Sequence, residues 1–295
     1  MPGKPSTASG SPHRNFYLRS LREKNIANFN RVFASTTKDS QMKLINAIHK
    51  VIQNLGNHQF GKCNICGSLT TFLCIDVQAV RNNMYCPFCR SSSRKRHVAK
   101  IIIHEVIKTA STIAEIPQTQ ALSIYNADVD DAFYQKLHHH ELYTCSTFSP
   151  EFKLGSEMRP GVFCQNLEYL TFADETFDIV ITEDVFEHVR NHEQGLREVH
   201  RILKSGGYHI FTVPCNFDRE TIVRVDTSGK EDIHLLPPEY HGDKIRGKIL
   251  AYRTFGIDIF DFLKKIGFET KVDFSNYLDR KNGIFDSYVF CSQKV

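Results

Sequence analysis

Apolar positions along the chain follow two patterns, a three- and four-residue recurrence and short uninterrupted runs, and together they predict most of the elements. Leu18, Leu21 and Ile26, then Met42, Leu44, Ile45, Ile48, Val51, Ile52 and Leu55, predict amphipathic helix over residues 15–55, ending at Gly56. Residues 70–77 read as a strand. Val98, Ile101, Ile102, Ile103, Val106 and Ile107 predict a helix with Ser92 or Ser93 as its cap. Residues 121–125 predict a strand, 126–131 a loop, 132–137 a helix and 141–145 a second strand. The run Ile179, Val180, Ile181, Thr182 reads as a strand buried on both faces and stops at Glu183 and Asp184. Asn191 caps the next helix, with Gln194 at N3 and Leu196, Val199, Ile202 and Leu203 on one face; Gly206 and Gly207 then lead into a second buried run, residues 209–213. A strand, a crossover helix and a parallel strand imply an open α/β sheet, in which ligands bind beyond the carboxyl ends of the strands. Near the end, residues 257–266 predict a helix, and strands at 269–274 and 287–293 are expected to pair antiparallel at one sheet edge.

Composition narrows the class. With 41% apolar residues in 295, the chain can build a substantial core. No apolar run reaches the roughly 18 residues of a membrane span. The first residues, rich in Pro, Gly, Ser and Lys, contain no apolar leader and read as disordered. Nine cysteines without a leader point to a reducing, cytoplasmic setting, where thiols bind metal or fill cores. The net charge of +4 hides an asymmetry: residues 1–110 hold 17 Lys and Arg against 4 acidic residues, and the remainder is acidic on balance. That basic third fits RNA, or equally the acidic part of the same chain.

Cys63-Asn-Ile-Cys66 and Cys86-Pro-Phe-Cys89 carry the first clear chemistry. Two Cys-x-x-Cys knuckles at this separation set four thiolates around one tetrahedral Zn²⁺ and leave no open coordination position, so the metal is expected to be structural. Cys74, between them, reads as core. Arg94, Lys95 and Arg96 follow in the first turn of the next helix, where the dipole prefers acids; a phosphate, a substrate carboxylate or an acidic side chain of the neighbouring domain would satisfy them.

Three stretches carry a family resemblance: Leu170-Thr-Phe-Ala-Asp-Glu-Thr-Phe-Asp178, Glu183-Asp-Val-Phe-Glu-His188 and Arg197-Glu-Val-His-Arg-Ile-Leu-Lys-Ser-Gly-Gly207. They resemble the second half of a class I S-adenosylmethionine (SAM) dependent methyltransferase of the type 11 kind. The resemblance is specific over about residues 164–214 and looser from 121 to the end. It implies a Rossmann-like, seven-stranded α/β methyltransferase sheet, preceded by a helical segment and the small zinc-ribbon module. The expected organisation is 1–58 disordered start and helical cap, 59–112 zinc ribbon with its following helix, and 113–295 methyltransferase domain with an insertion over 215–255.

The resemblance also implies a cofactor site, and here the sequence departs from the family. Ser123 stands where an acid is usual in the first strand, and Tyr125, Asn126 and Ala127 replace the glycine-rich turn. Thr147 follows Ser146 where an acid would hold the ribose, and Asn166 stands near the adenine position. The cofactor set read on this basis is Tyr125, Asn126, Asp128, Thr147, Asn166, Leu167 and Glu183, with Asp128 or Asp130 for the cofactor's ammonium. Methyl transfer needs positioning and a proton acceptor. His188 is the expected base, with Asp184 and the downstream His241 completing the catalytic set. The order Asp184-x-x-Glu187-His188 is also similar to the metal-binding Glu-x-x-Glu-His of small-RNA 2′-O-methyltransferases, which implies Mg²⁺ with His241 as a further ligand. Residues 215–255 are expected to form a long loop over the site, with Arg224, His234, Glu239, Tyr240, His241, Asp243 and Arg253 shaping the acceptor pocket. The function expected is methyl transfer to an O or N acceptor, a small metabolite or sugar; the alternatives are an inactive binding or scaffold protein and an RNA methyltransferase that uses the basic N-terminal zinc module.

Overall fold

The computed structural model describes residues 38–119, 121–129, 131–243, 247–274 and 278–295. It forms two compact units, Met1–Leu55 and Gly56–Val295. In the first, the described residues form helix α1, Lys38–Gln53, whose Met42, Ile45, Ile48 and Ile52 share one face by their spacing. Leu18, Leu21, Ile26 and the polar start lie outside the described residues, as does Asp130. Among the described residues no helix is long and apolar enough to cross a membrane.

The second unit is organised on an eight-stranded sheet: β1 Ile124–Asn126, β2 Tyr143–Thr147, β3 Glu157–Arg159, β4 Val162–Cys164, β5 Phe177–Glu183, β6 Leu203–Thr212, β7 Phe268–Asp273 and β8 Val289–Lys294. Their spatial order is β7-β8-β6-β5-β1-β2-β4-β3. Strands β1, β2, β4, β5 and β6 run parallel, and β7 and β8 pair antiparallel at one edge as their sequence predicts. The strand beyond the expected seven is β3, three residues pairing antiparallel with β4 across a register shift. It carries no apolar alternation, so nothing in the sequence marks it. The chain leaves β1 for β2 on one side and reaches β5 on the other, which creates the switch point where α/β sheets open a ligand crevice.

Both sheet faces are covered, which explains the unbroken apolar runs. Ile124, Ile179, Ile181 and Ile210 face a layer made by helix α2, Ser93–Ile101, and helix α3, Ala132–Leu137, through Val98, Ile101 and Phe133. Tyr125, Val180 and Phe211 face helix α4, His192–Ile202, and helix α5, Ile259–Lys265. Ser92 and Asn191 cap their helices as read, Ser92 Oγ accepting from Lys95 N and Asn191 from Gln194 N, and Asp131, which was read only as loop, accepts from Tyr134 N at the start of α3. Helix α2 is therefore both the continuation of the cysteine module and one layer of the sheet's cover.

Two expected elements differ. The strand read at 70–77 is shorter, Leu69–Phe72, and forms a hairpin with Gln59–Lys62. The insertion is no structureless loop: it folds into short pairings, among them the hairpin Tyr240–Asp243 with Gly247–Leu250 and the strand Arg253–Gly256 beside Cys215–Asn216. These pairs are too short for a periodicity to show.

Candidate functional site

The cysteine knuckles share one local geometry. Gly67 N donates to Cys63 O and Arg90 N to Cys86 O, and each turn ends in a left-handed residue, Gly67 at φ 79° and Arg90 at φ 60°. The four Sγ atoms lie within 4.8 Å of one another, with Cys63–Cys89 at 3.6 Å and Cys66–Cys86 at 3.7 Å. Tetrahedral Zn²⁺ with Zn–S of about 2.3 Å would separate its sulfurs by about 3.8 Å, so the group fits that ion. Cys74 is buried and stands apart from the group. Behind the thiols, the fully buried Arg96 lies over the Phe72 ring and donates to the carbonyls of Met84, Ser91, Asn282 and Gly283, so it ties the module to the chain's end. Burial pushes its guanidinium down to about 10.

The other two cations of that helical turn meet the acids at the carboxyl ends of the strands. Lys95 Nζ donates to Glu183 Oε1 at 2.6 Å, Asp131 Oδ2 at 2.7 Å and Asp128 Oδ2 at 3.2 Å. Arg94 pairs with Glu183 and Asp184, and Arg81 grips Asp184 through two bonds of 2.8 Å. Burial opposes the Lys95 charge, yet Asp131, Glu183 and Asp128 outweigh it and hold Lys95 well above the usual lysine value. Burial likewise raises Asp184, but Arg94 and Arg81 prevail and keep it ionised far below the carboxylate range. Of the three partners open to the basic turn, acidic side chains are the ones the structure supplies, from the carboxyl-end rim of the sheet within the same compact unit. Arg81 was missed, since a lone arginine in a polar turn, Val80–Asn82, carries no signal.

Above these ion pairs lies a cavity of about 700 Å³ at the switch point. Asp128, Thr147, Leu167, Glu183, Asp184, His188 and His241 line it, joined by Val129, Phe148, Gln165, Glu187 and Ile249. Tyr125, Asn126 and Asn166 are not among its walls. Tyr125 is buried against Phe172 and Phe177 on the opposite sheet face, its hydroxyl 2.7 Å from Ser146 Oγ, and burial raises its pKa. Asn126 Nδ2 is taken by Asp131 and Tyr143, and Asn166 Oδ1 by Glu168 N. Ser123 sits at the other end of β1, bonded to Asp178. The strand's two-residue alternation decides this: the side chain at 125 points away from the face that 124 and 126 share. Among the described residues, Ala127, Asp128 and Val129 line the cavity where the glycine-rich turn is missing.

Asp184, read as a catalytic partner of His188, lines the same cavity but has its carboxylate bonded to Arg81 and Arg94. Its backbone is left-handed, φ 49°, and Thr212 Oγ1 also donates to it. Glu187, His188 and His241 do come together: His241 Nδ1 is 3.2 Å from His188 Nε2, and Glu187 Oε1 lies 3.7 Å from each of those nitrogens. His188 Nδ1 donates to Leu250 O, and His241 Nε2 faces Glu239 Oε1 at 3.1 Å. Glu187, with Glu239 adding to it, pushes His241 up to about 9. Mg²⁺ finds no support, because the aspartate of the Asp-x-x-Glu-His order is held by two arginines. Among the insertion residues with described side chains, Arg224, His234, Glu239, Tyr240 and Arg253 are not cavity walls: Arg253 is buried, pushed down to about 10 by burial, and donates to the carbonyls of Phe186, Val189 and Arg190, while Arg224 pairs with Glu239.

A family model described as a methyltransferase domain matches residues 114–211. Two uncharacterized proteins of Methanocaldococcus jannaschii are similar, one 36% identical over 104 residues and one 30% identical over 143, covering 35% and 44% of this chain. The chain spans 39% and 54% of their lengths. A solved S-adenosylmethionine dependent methyltransferase from Mesorhizobium loti superposes over 62% of this chain and 94% of its own, with 14% identity and a TM-score of 0.37.

Proposed function

From the methyltransferase domain that residues 114–211 carry, we propose that this chain is a SAM-dependent methyltransferase acting on a small O or N acceptor. The observation that carries the reading is the open cavity of about 700 Å³ at the switch point, lined by Asp128, Thr147, Leu167 and Glu183. SAM supplies a methyl group activated by a sulfonium. The walls suit it: Val129, Phe148 and Leu167 offer apolar surface for a base, Thr147 a hydroxyl for the ribose, and Asp128, its side chain 36% exposed, a carboxylate for the ammonium. The Lys95 cluster fixes the loop that carries Asp128. His188 takes the acceptor's proton, with the Leu250 carbonyl fixing its tautomer, and His241 beside it holds the acceptor. Zinc at Cys63, Cys66, Cys86 and Cys89 holds α2 in place and takes no part in the transfer.

A small acceptor is favoured over RNA because Arg81, Arg94 and Lys95, the cations nearest the cavity, are already neutralised by carboxylates. Calorimetric titration with S-adenosylhomocysteine tests the reading, and one site per chain is expected. Absence of binding by both SAM and its product would overturn it and leave a scaffold. A steep salt-dependent affinity for RNA would replace the small acceptor by a nucleic acid.

A further inference from the structure

We propose that the outer edge of β7 docks a second copy of this chain, so that two eight-stranded sheets join through β7 into the continuous sheet of a two-fold dimer. The two ends of the sheet are built differently. At one end β3 is three residues long and pairs across a register shift, the short, irregular form that blunts an edge against further pairing. At the other, β7 is six residues long and keeps unbroken register with β8. Val295 N donates to Gly267 O, which turns the backbone groups of residue 267, and by alternation those of Glu269 and Lys271, toward β8. The backbone groups of Phe268, Thr270 and Val272 consequently point outward, and among the described residues no strand pairs with them on that side.

The edge is complementary to itself. A two-fold axis through Thr270 sets Phe268 opposite Val272 of the second copy, Thr270 opposite its own equivalent and Glu269 opposite Lys271 of the second copy. The outward groups then exchange about six inter-strand hydrogen bonds, and each Glu269 meets a lysine at the closer, non-hydrogen-bonded spacing. An axis one residue further on would oppose Lys271 to itself and Glu269 to Asp273, and would call on backbone groups that β8 already uses. Glu269 and Lys271 are exposed, and Lys271 also pairs with Glu105 of its own chain, so docking would leave it between two carboxylates. On the other face, the exposed Asp261 and Lys264 of α5 border the same edge, where they help to line a cavity of about 480 Å³. The same axis runs the two α5 helices antiparallel and brings Asp261 of each toward Lys264 of the other. Strands β8, β6 and β5 lie between this edge and the switch point, so docking leaves the cavity there open, and the inference does not rest on the methyltransferase reading.

Sedimentation equilibrium of the full chain over about 1–200 µM tests the proposal. The mass is expected to rise with concentration to twice the 33.9 kDa of one chain. Glu269→Lys sets lysine against lysine and is expected to weaken the dimer roughly tenfold; adding Lys271→Glu restores opposite charges with their signs exchanged and should recover most of that loss. Thr270→Pro removes an N–H that β8 does not use, so the chain keeps its fold while the pairing with a second copy is lost. In the native chain the amides of Phe268 and Val272 should exchange more slowly as concentration rises, and in Thr270→Pro they should not. A single-chain mass at every concentration overturns the proposal, and fast exchange at those two amides would then leave the edge to a different protein. A dimer that survives both Glu269→Lys and Thr270→Pro also overturns it, because the copies would meet on another surface.

Discussion

Lys95 illustrates what one side chain contributes. It compensates Asp131 and Glu183, whose side chains are 0% and 1% exposed. Lys95→Met is expected to destabilise the protein by about 3–5 kcal/mol in urea unfolding, because it strands buried carboxylates, and not because the pairs are individually strong. His209 sets a pH limit of another kind. It is fully buried, stacked on Phe211 with a ring separation of 4.4 Å, and bonded to Thr182 at 2.9 Å, and burial lowers it to about 3. Since the folded chain keeps this ring neutral while the unfolded chain protonates it below about 6.5, its contribution is intact above pH 6.5 and falls as pH drops toward 3. Against a His209→Gln variant, the native protein should lose relative stability by up to about 1.4 kcal/mol per pH unit across that window. Parallel pH-dependent denaturation curves would contradict this. At this scale the sequence announced Arg94 and Lys95 as misplaced cations, but not Arg81, which meets its partner across 103 positions.

At the scale of elements, the cysteine hairpin and the turn near the chain's end are pressed together. A Cβ on Gly283 would stand 2.2 Å from Phe72 Cδ2, at φ 64°, and one on Gly61 would stand 2.4 Å from Lys281 O. Gly283→Ala is therefore expected to cost about 1–3 kcal/mol from overpacking added to the strain at positive φ. Gly161→Ala, also at positive φ but with nothing within 4 Å, should cost only the strain, about 1–2 kcal/mol. Thermal unfolding of the two variants compares them directly, and equal losses would mean that this contact yields freely. Individual elements were readable because caps and apolar spacing are local; helix α4, with Asn191 and Gln194, is a clear case. The docking of two such elements far apart in sequence was not.

Over the whole molecule, the cysteine module acts on the cavity through Arg81, Arg94 and Lys95, which form part of its walls. Removing zinc with a thiol-reactive mercurial and a chelator is expected to lower the melting temperature. It should also weaken S-adenosylhomocysteine binding at least tenfold, although none of the four cysteines lines the cavity. Unchanged calorimetric affinity in the zinc-free protein would show that the module and the cavity are energetically separate. This dependence accounts for the basic front and acidic remainder of the chain as internal complementarity, at least where Arg94 and Lys95 meet Asp128, Asp131, Glu183 and Asp184.

The sequence alone determined the parallel sheet, the paired cysteine knuckles and the placement of Glu183, Asp184 and His188 at a strand's carboxyl end, because each rests on periodicity or fixed spacing within a few residues. Only the tertiary structure decided that Tyr125 and Asn166 stay out of the cavity, that Asp184 is held by arginines, and that His241 reaches His188 across 53 positions. Those outcomes depend on which strand face a side chain leaves and on which hairpin folds back over the rim. Both are settled by the burial of distant segments against one another, a property that no local pattern encodes.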